Sequence, residues 1–376
     1  MTQICHAHRC LRGAVPSALC IITFLCATSR CVPQVFATPP TPQVQGQRPA
    51  QVQSQPVGPK QAVPAATPVT VPEAPPLAPQ FNQDRAWRDL QEIVKRGQRY
   101  YGAPQREEAI QALVNHLEAA GGAVSLQRFT QREPQSKVDY QLTNVIARFN
   151  PEISARVILG SHWDTRLWAE EDADIMKRQM PITGANDGSS GVAVLFEIAR
   201  QIQALKLQGL GVDIVLFDGE EFGRPGSQDY CAGSRYFARN LQHYYPKEQP
   251  RGVVVIDMVG DRELTFPPEQ SSVAKARALT TLIWREGVRL SAPAFIAGLR
   301  RPQRGGPRSR WIVDDHTPFQ ELGIPAVLII DLDYAQWHTH QDTLDRVSAA
   351  SLKQTGDVLL ASLTRLDEQV RALQSP

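Results

Sequence analysis

The chain has 376 residues, which is enough for one large folded domain or for two. It carries 40 lysines and arginines against 38 aspartates and glutamates, so it has no basic excess that would favour nucleic acid as a partner. Five of the six cysteines lie within the first 31 residues, and Cys231 is the only one beyond them. The later part of the chain therefore has no internal disulfide and no cysteine pair for a zinc knuckle or finger, so its core must supply its stability.

The N-terminal segment has the pattern of a secretory signal. Histidines and arginines precede an apolar run at 14–27, and VFA at 35–37 is typical of a cleavage site. We therefore predict a signal peptide at 1–37 and an exported protein, secreted or periplasmic. The apolar run is short for a membrane span and contains Pro16, which favours export over the alternative, a leader retained as a membrane anchor. No other stretch is long and apolar enough to cross a bilayer.

The segment that follows has the composition of a linker. Residues 38–80 are rich in proline, glutamine, alanine and valine, with few charges and no aromatic residue. Such a composition cannot bury a hydrophobic core, so we predict a disordered spacer. The folded domain is predicted to begin at Phe81 and to occupy 81–376.

From Phe81 onward, short apolar runs alternate with stretches that carry apolar residues at helical spacing. The runs predict strands at 124–129, 142–149, 157–159, 212–217, 253–256 and 325–330. The helical spacing predicts helices at 84–99, 106–120, 191–203, 230–240, 272–290 and 348–373. This alternation predicts an α/β fold, a three-layer sandwich with a mainly parallel mixed central sheet flanked by helices.

The most informative stretch is VDIVLFDGEEFG at 212–223. An apolar strand runs directly into Asp218, Glu220 and Glu221, and carboxylates at the mouth of a buried strand would repel one another and resist desolvation. A multivalent cation would neutralise them. Because neighbouring side chains of an extended chain point to different sides, one glutamate can bind the metal while the other acts as acid or base. A solvated acidic turn is the alternative for the pair taken alone.

Acids or histidines follow four of the predicted strands. They are His162 and Asp164, then Asp218, Glu220 and Glu221, then Asp257 and Asp261, and finally Asp331 and His338. In open α/β sheets the ligand site lies beyond the carboxyl ends of the strands. We therefore expect these side chains to meet at one edge of the sheet.

Two further segments carry acids just before a helix. Asp187 lies in GANDGSSG, whose glycines allow a tight turn, and Asp314 lies in DDH ahead of Pro318. Taken alone, each is better explained as a helix cap than as a ligand, and His338 alone as an ordinary polar residue. Together these residues offer carboxylate and imidazole without thiolate, the ligand set of a catalytic zinc ion with an open position.

The order of several short motifs resembles that of a known superfamily. SHWDT, GANDGSSG, DGEEFG, GSRYFA, IDMVGD, DDHTPF and WHT follow one another as in the zinc-dependent aminopeptidases and glutaminyl cyclases. The chain is most similar to the glutaminyl-peptide cyclotransferase branch and its bacterial relatives, because long insertions separate His162 from Asp187 and, at 224–231, the EE pair from GSR. The resemblance implies an enzyme that converts the N-terminal glutamine of peptides or proteins to pyroglutamate and releases ammonia.

The resemblance also implies a role for each motif residue. Three residues match the ligands of the single zinc ion of the cyclases: Asp187, Glu221 and His338. Three acids match catalytic groups, namely the general acid and base Glu220 and the proton-transfer assistants Asp257 and Asp314. Trp337 matches the aromatic wall of the substrate pocket. His162 and Asp257 match the second-metal ligands of two-zinc aminopeptidases.

Departures from the animal cyclases leave other functions open. Those cyclases carry a histidine where this chain has LII at 328–330 and a disulfide that the single Cys231 excludes, and NDG at 186–188 is closer to the aminopeptidases. The alternative is an aminopeptidase with two zinc ions, which hydrolyses N-terminal residues. A catalytically inactive relative used for binding is a third hypothesis, against which stands the presence of every potential ligand.

Overall fold

The computed structural model describes residues 80–300 and 309–374. The predicted signal peptide and all but the last residue of the predicted linker lie outside these ranges. None of the helices within them combines the length and the apolar character that crossing a bilayer requires.

Six strands form one mixed sheet. They are β1 (Ala123–Arg132), β2 (Asp139–Phe149), β3 (Arg156–His162), β4 (Gly211–Phe217), β5 (Gly252–Asp257) and β6 (Ala326–Ile330). Their order is β1-β2-β4-β3-β5-β6; the β4–β3, β3–β5 and β5–β6 pairs are parallel, and the β1–β2 and β2–β4 pairs are antiparallel. The predicted mainly parallel mixed sheet is confirmed, and each predicted strand coincides with an observed one.

Helices flank the sheet. They are α1 (Gln83–Lys95), α2 (Arg106–Ala119), α3 (Ser189–Leu205), α4 (Ala232–Arg239), α5 (Leu241–Tyr244), α6 (Gln270–Lys275), α7 (Arg277–Arg289), α8 (Pro293–Leu299), α9 (Thr317–Glu321) and α10 (Ala349–Gln374). The prediction of one helix at 272–290 was wrong, because Ala276 leaves the helical conformation (φ −133°, ψ 38°) and separates α6 from α7. The short helices α5 and α8 were not predicted.

Alternate side chains of the central strands enter two hydrophobic cores. Val157 and Leu159 of β3 pack with residues of α1, α3 and α10, whereas Ile158 packs on the opposite face with residues of α4, α5 and α9. Because both faces are covered, the middle of the strand is apolar, and its polar residues lie at its two ends. The carboxyl ends of β3, β4, β5 and β6 open at one edge of the sheet, where the acidic loops begin.

One charged residue lies inside the sheet itself. Asp213 of β4 is fully buried, and its carboxylate accepts hydrogen bonds from Arg156 (2.7 and 2.9 Å), Arg148 (3.1 Å) and the Tyr245 hydroxyl (2.6 Å). The buried Arg156 guanidinium also donates to the Phe149 carbonyl (2.7 Å). Such a pair is costly to break from one side, because the remaining partner keeps an uncompensated buried charge.

We predict that Asp213→Asn lowers the free energy of unfolding by about 3–5 kcal/mol, since Arg156 loses its counter-charge. Glu107→Gln is the matched control, because the Glu107–Arg128 pair (2.8 Å) is exposed and exposed pairs contribute about 0–1 kcal/mol. Chemical denaturation of both variants measures the difference. Equal, small losses in the two variants would contradict this account of Asp213.

Candidate metal centre and active site

The loops at the carboxyl edge of the parallel strands enclose a common cavity of about 340 Å³. Seven of the residues singled out in the sequence line it: Asp187, Glu220, Glu221, Asp257, Asp314, Trp337 and His338. His162, at the end of β3, contacts Asp257. The sheet therefore brings together residues that are up to 176 positions apart, from His162 to His338, because neighbouring parallel strands end side by side.

Asp187, Glu221 and His338 form a compact buried group. One potential ligand atom of each lies within 4.8 Å of the others, and Nε2 of His338 is 3.4 Å from Oε1 of Glu221 and 3.7 Å from Oδ2 of Asp187. Oδ2 of Asp187 and Oε2 of Glu221 are buried and accept no hydrogen bond from the described part of the chain. Buried acceptors without donors are rare, and two carboxylates with an imidazole suit catalytic zinc. The residues present therefore fit a zinc ion.

A second group of potential ligands shares Asp187. Nε2 of His162 lies 3.2 Å from Oδ1 of Asp187 and 3.1 Å from Oδ1 of Asp257, and ligand atoms of all three residues again lie within 4.8 Å of one another. On its other side, Nδ1 of His162 is 3.6 Å from Oδ1 of Asp164, which is too long for a hydrogen bond. The arrangement is compatible with one ion or with two.

A buried aspartate holds the turn that carries the two glutamates. The Asp164 carboxylate accepts hydrogen bonds from the backbone N–H groups of Glu220 and Glu221, each at 3.2 Å. The turn requires Gly219, whose φ is +69° and whose added Cβ would lie 2.7 Å from the Leu142 side chain. As a result Glu221 is buried within the first ligand group, whereas Glu220 is only partly buried and lines the cavity.

The surroundings of Glu220 shift the pKa of its carboxyl group. Burial and the neighbouring carboxylate of Glu221 raise the pKa of the Glu220 carboxyl well above its ordinary value, and Asp314 adds to the shift. Oε1 of Glu220 accepts a hydrogen bond from the thiol of Cys231 at 3.4 Å, and burial raises the pKa of that thiol, which stays a donor. A carboxyl group with a raised pKa is suited to accept a proton and to return it.

The charges around the site are unbalanced. Burial and the Asp257 carboxylate raise the pKa of Asp314 to about 6. Burial disfavours the charged imidazole of His338, but Glu221 and the hydrogen bond with Glu170 outweigh that effect and raise its pKa to about 10. Neighbouring carboxylates thus add to the effect of burial at Asp314 and outweigh it at His338, and a divalent cation would offset their negative charge.

The prediction that Asp218 belongs to the cation-binding acids was wrong. Its carboxylate forms a buried ion pair with Arg106 and accepts the Thr143 N–H at 2.5 Å. Asp331, which also follows a strand, accepts the Thr265 N–H at 2.8 Å. Neither acid joins a group of potential metal ligands among the described residues. Both carboxylates hold backbone in place instead, although Oδ1 of Asp218 accepts no hydrogen bond from the described residues.

The alternative that Asp187 caps the following helix does not match the structure. The N-cap of α3 is Gly188, at φ +82°, and no side chain caps the helix. A Cβ added at Gly188 would lie 2.8 Å from the His162 ring, so glycine allows this loop to pass close to the site. The loop is fixed from outside by Asp342, which accepts the N–H groups of Asn186 (2.8 Å) and Asp187 (3.1 Å).

Apolar side chains share the cavity with the acids. They are Trp337, Met258, Ile312, Val313, Ile330 and Leu332. The Trp337 ring stacks on the His338 ring with a centroid distance of 3.9 Å, yet 36% of Trp337 remains exposed. Trp337 therefore both supports a predicted ligand and offers an aromatic surface to whatever enters the cavity.

Sequence reasoning missed two residues that contact the predicted ligands. Oε1 of Glu170 lies 3.0 Å from Nδ1 of His338. The buried Arg166 guanidinium binds Glu170 (2.7 Å) and the backbone carbonyl of Glu221 (3.2 Å). Both residues belong to the insertion between His162 and Asp187 that the sequence displays. The insertion was a signal that the region matters, but nothing in its sequence specifies these distant contacts.

Known proteins resemble this chain over most of its length. The model of the family described as peptidase family M28 matches residues 144–363. A glutaminyl-peptide cyclotransferase from Gloydius blomhoffii is 24% identical over 305 residues, which cover 74% of this chain and 80% of that protein. The crystal structure of Fimbriiglobus ruber glutaminyl cyclase is 32% identical with a TM-score of 0.70, and the match covers 80% of this chain and 99% of that one.

A Zn-dependent exopeptidase from Parabacteroides distasonis is similar to the same extent, with 29% identity, a TM-score of 0.70, and coverage of 76% of this chain and 99% of that one. Cyclases and exopeptidases thus share the fold, and the cyclotransferases recur among the curated relatives. The chain belongs to peptidase family M28, in the branch that contains the glutaminyl cyclases.

Proposed function

We propose that this protein is a zinc-dependent glutaminyl-peptide cyclotransferase, which converts the N-terminal glutamine of peptides or proteins to pyroglutamate with release of ammonia. One observation carries the proposal. The buried group of Asp187, Glu221 and His338 lies in a cavity that it shares with a proton-accepting carboxyl, Glu220, and an aromatic side chain, Trp337. The similarity to glutaminyl cyclases over nearly their whole length supports the same reaction.

Each group of the cavity has a place in this reaction. Zinc bound by Asp187, Glu221 and His338 would polarise the γ-carboxamide carbonyl of the substrate. Trp337 and the apolar residues beside it would contact the methylene groups of the glutamine side chain. Holding the α-amine and the γ-carboxamide of one residue against each other turns the attack into an intramolecular step, which lowers its entropic barrier.

Glu220 would move the proton. As the α-amine nitrogen attacks the carboxamide carbon, Glu220 takes a proton from that nitrogen and delivers it to the departing nitrogen. The bond between the carboxamide carbon and its nitrogen breaks, ammonia leaves, and no water is consumed. Asp257 and Asp314 would assist this transfer, because they line the same cavity and their charges act on the proton that Glu220 moves.

An aminopeptidase is the second candidate, and one observation favours it. The His162, Asp187 and Asp257 group is complete and buried, so a second zinc ion has potential ligands. In that reaction Glu220 would take a proton from water. The enzyme would then release the N-terminal residue as a free amino acid and leave a peptide one residue shorter. The metal content per chain, measured together with turnover of glutaminyl peptides and aminoacyl amides, separates the two.

We further infer that the domain acts outside the cytoplasm. The pattern of the leader at 1–37 supports export, and the composition of 38–80 supports a spacer ahead of a catalytic domain. N-terminal sequencing of the exported protein checks this inference, which predicts a mature chain that starts close to Thr38. A chain that retains its leader would favour the membrane anchor instead.

The two adjacent glutamates are predicted to fail in different ways. Glu221→Gln removes an anionic ligand, so zinc content and cyclisation of a glutaminyl peptide should fall together. Glu220→Gln keeps shape and ligands but cannot accept a proton, so zinc content should stay at the wild-type level while kcat falls about 10²–10⁴-fold. Elemental analysis and steady-state kinetics measure both. Equal zinc loss in the two variants would refute the assignment, and full activity of Glu220→Gln would remove the mechanism.

Trp337→Ala is predicted to raise KM for a glutaminyl peptide by roughly 10- to 100-fold, because an aromatic contact surface is lost. Zinc content should remain near the wild-type level. Trp311→Ala is the matched control, since Trp311 is exposed and lies outside the cavity lining. Loss of zinc from Trp337→Ala would instead identify Trp337 as a packing residue whose function is to support His338.

A further inference from the structure

The insertion between His162 and Asp187 makes several contacts with the turn that carries His338. Oε1 of Glu170 is 3.0 Å from Nδ1 of His338, and the Glu171 N–H donates to the His338 carbonyl at 3.3 Å. Asp172 accepts the backbone N–H of His340 at 3.0 Å and contacts Nδ1 of the same residue at 3.1 Å. Three consecutive residues of the insertion therefore hold both ends of a three-residue turn, by side chain and by backbone.

This turn needs external support. His338 has φ +53°, in the left-handed region that non-glycine residues seldom occupy. Residues held in such conformations persist where their surroundings determine them, and they cluster at functional sites. The contacts from the insertion hold His338 in this conformation. The Trp337 ring, which stacks on the imidazole, does the same.

The buried guanidinium of Arg166 connects the insertion to Glu221, a second predicted ligand. Arg166 donates to Oε1 of Glu170 at 2.7 Å, and on its other side it donates to the carbonyls of Glu221 (3.2 Å) and Gly223 (3.3 Å). Its Nη1 atom also lies 3.3 Å from Oε2 of Glu221. Arg166 thus fixes Glu221 directly and His338 through Glu170.

We propose that Glu170 is a positioning residue for the metal centre, which holds the His338 imidazole with its proton on Nδ1 and leaves Nε2 to bind the ion. The inference rests on the zinc site of the proposed function. An imidazole hydrogen-bonded at one nitrogen to a carboxylate is fixed in tautomer and ring orientation, and the carboxylate makes the other nitrogen a stronger ligand. Nε2 of His338 is the nitrogen directed at Asp187 and Glu221.

Beyond this contact, the Glu170 carboxylate pairs with the buried guanidinium of Arg166. Its side chain is 19% exposed and packs at the rim of the site, whereas Arg166 keeps Glu221 as a second counter-charge when Glu170 is changed. Substitution of Glu170 should therefore alter metal binding far more than the stability of the zinc-free protein. Glu171 offers a matched control, because its side chain is exposed and only its backbone N–H contacts the turn.

Zinc affinity from chelator competition, together with the melting temperature of the zinc-free protein, tests the proposal on Glu170→Gln, Glu170→Ala and Glu171→Gln. Glutamine keeps an acceptor oxygen but no charge, and alanine keeps neither. We expect affinity to fall in the order wild type, Glu170→Gln, Glu170→Ala, with a loss of about 10- to 100-fold for alanine. Glu171→Gln should bind zinc like the wild type, and the zinc-free melting temperatures should stay close together.

Wild-type affinity in Glu170→Ala, or an equal loss in Glu171→Gln, would overturn the proposal. If the alanine variant does not fold, the Glu170→Gln affinity decides, because that change preserves size and shape. A wild-type protein that binds no zinc would refute the proposed zinc site itself. Zinc binding by the wild type that is unchanged in the Glu170 variants would overturn only the positioning role.

Discussion

Excess negative charge at the carboxyl edge of the sheet is the constraint on which the whole site depends. The fold neutralises some of these acids with its own groups, as Arg106 does for Asp218 and backbone N–H groups do for Asp164. Asp187 and Glu221 each keep a buried oxygen that accepts no hydrogen bond from the described residues, although Nη1 of Arg166 lies 3.3 Å from that of Glu221. Since such oxygens are costly to bury, we propose that a cation completes the site, and the donor set suits zinc.

The central strands that end at the site are largely apolar, and the polar groups of the site follow them. Strands β5 and β6, and β3 after Arg156, are apolar on both faces until their carboxyl ends, and the polar chemistry begins where each strand stops. Asp213 of β4 is the exception, and it is balanced by arginines within the sheet. The insertion between β3 and α3 then adds a second layer of contacts around His338. Ligands, their supports and the apolar wall of the cavity thus come from different parts of the chain.

The sequence was sufficient to predict the sheet, its parallel character and the edge at which the acids meet, because these follow from local periodicity and from strand direction. It could not predict that Asp218 faces Arg106, since that depends on the packing of α2 against the sheet. The break at Ala276 lies within an unbroken helical pattern, so periodicity gave no sign of it. The contact of Glu170 with His338 joins residues 168 positions apart, and no local signal specifies such a pair.

The central claim is that an N-terminal glutamine cyclises at this site. Mass spectrometry of a glutaminyl peptide incubated with the zinc-loaded protein tests it most directly, with the Glu220→Gln variant and a protein-free sample as references. The account predicts a peptide of unchanged length that has lost one ammonia and has a blocked N-terminus, formed faster than in either reference. Free glutamine with a peptide one residue shorter would contradict the account and would assign the site to hydrolysis.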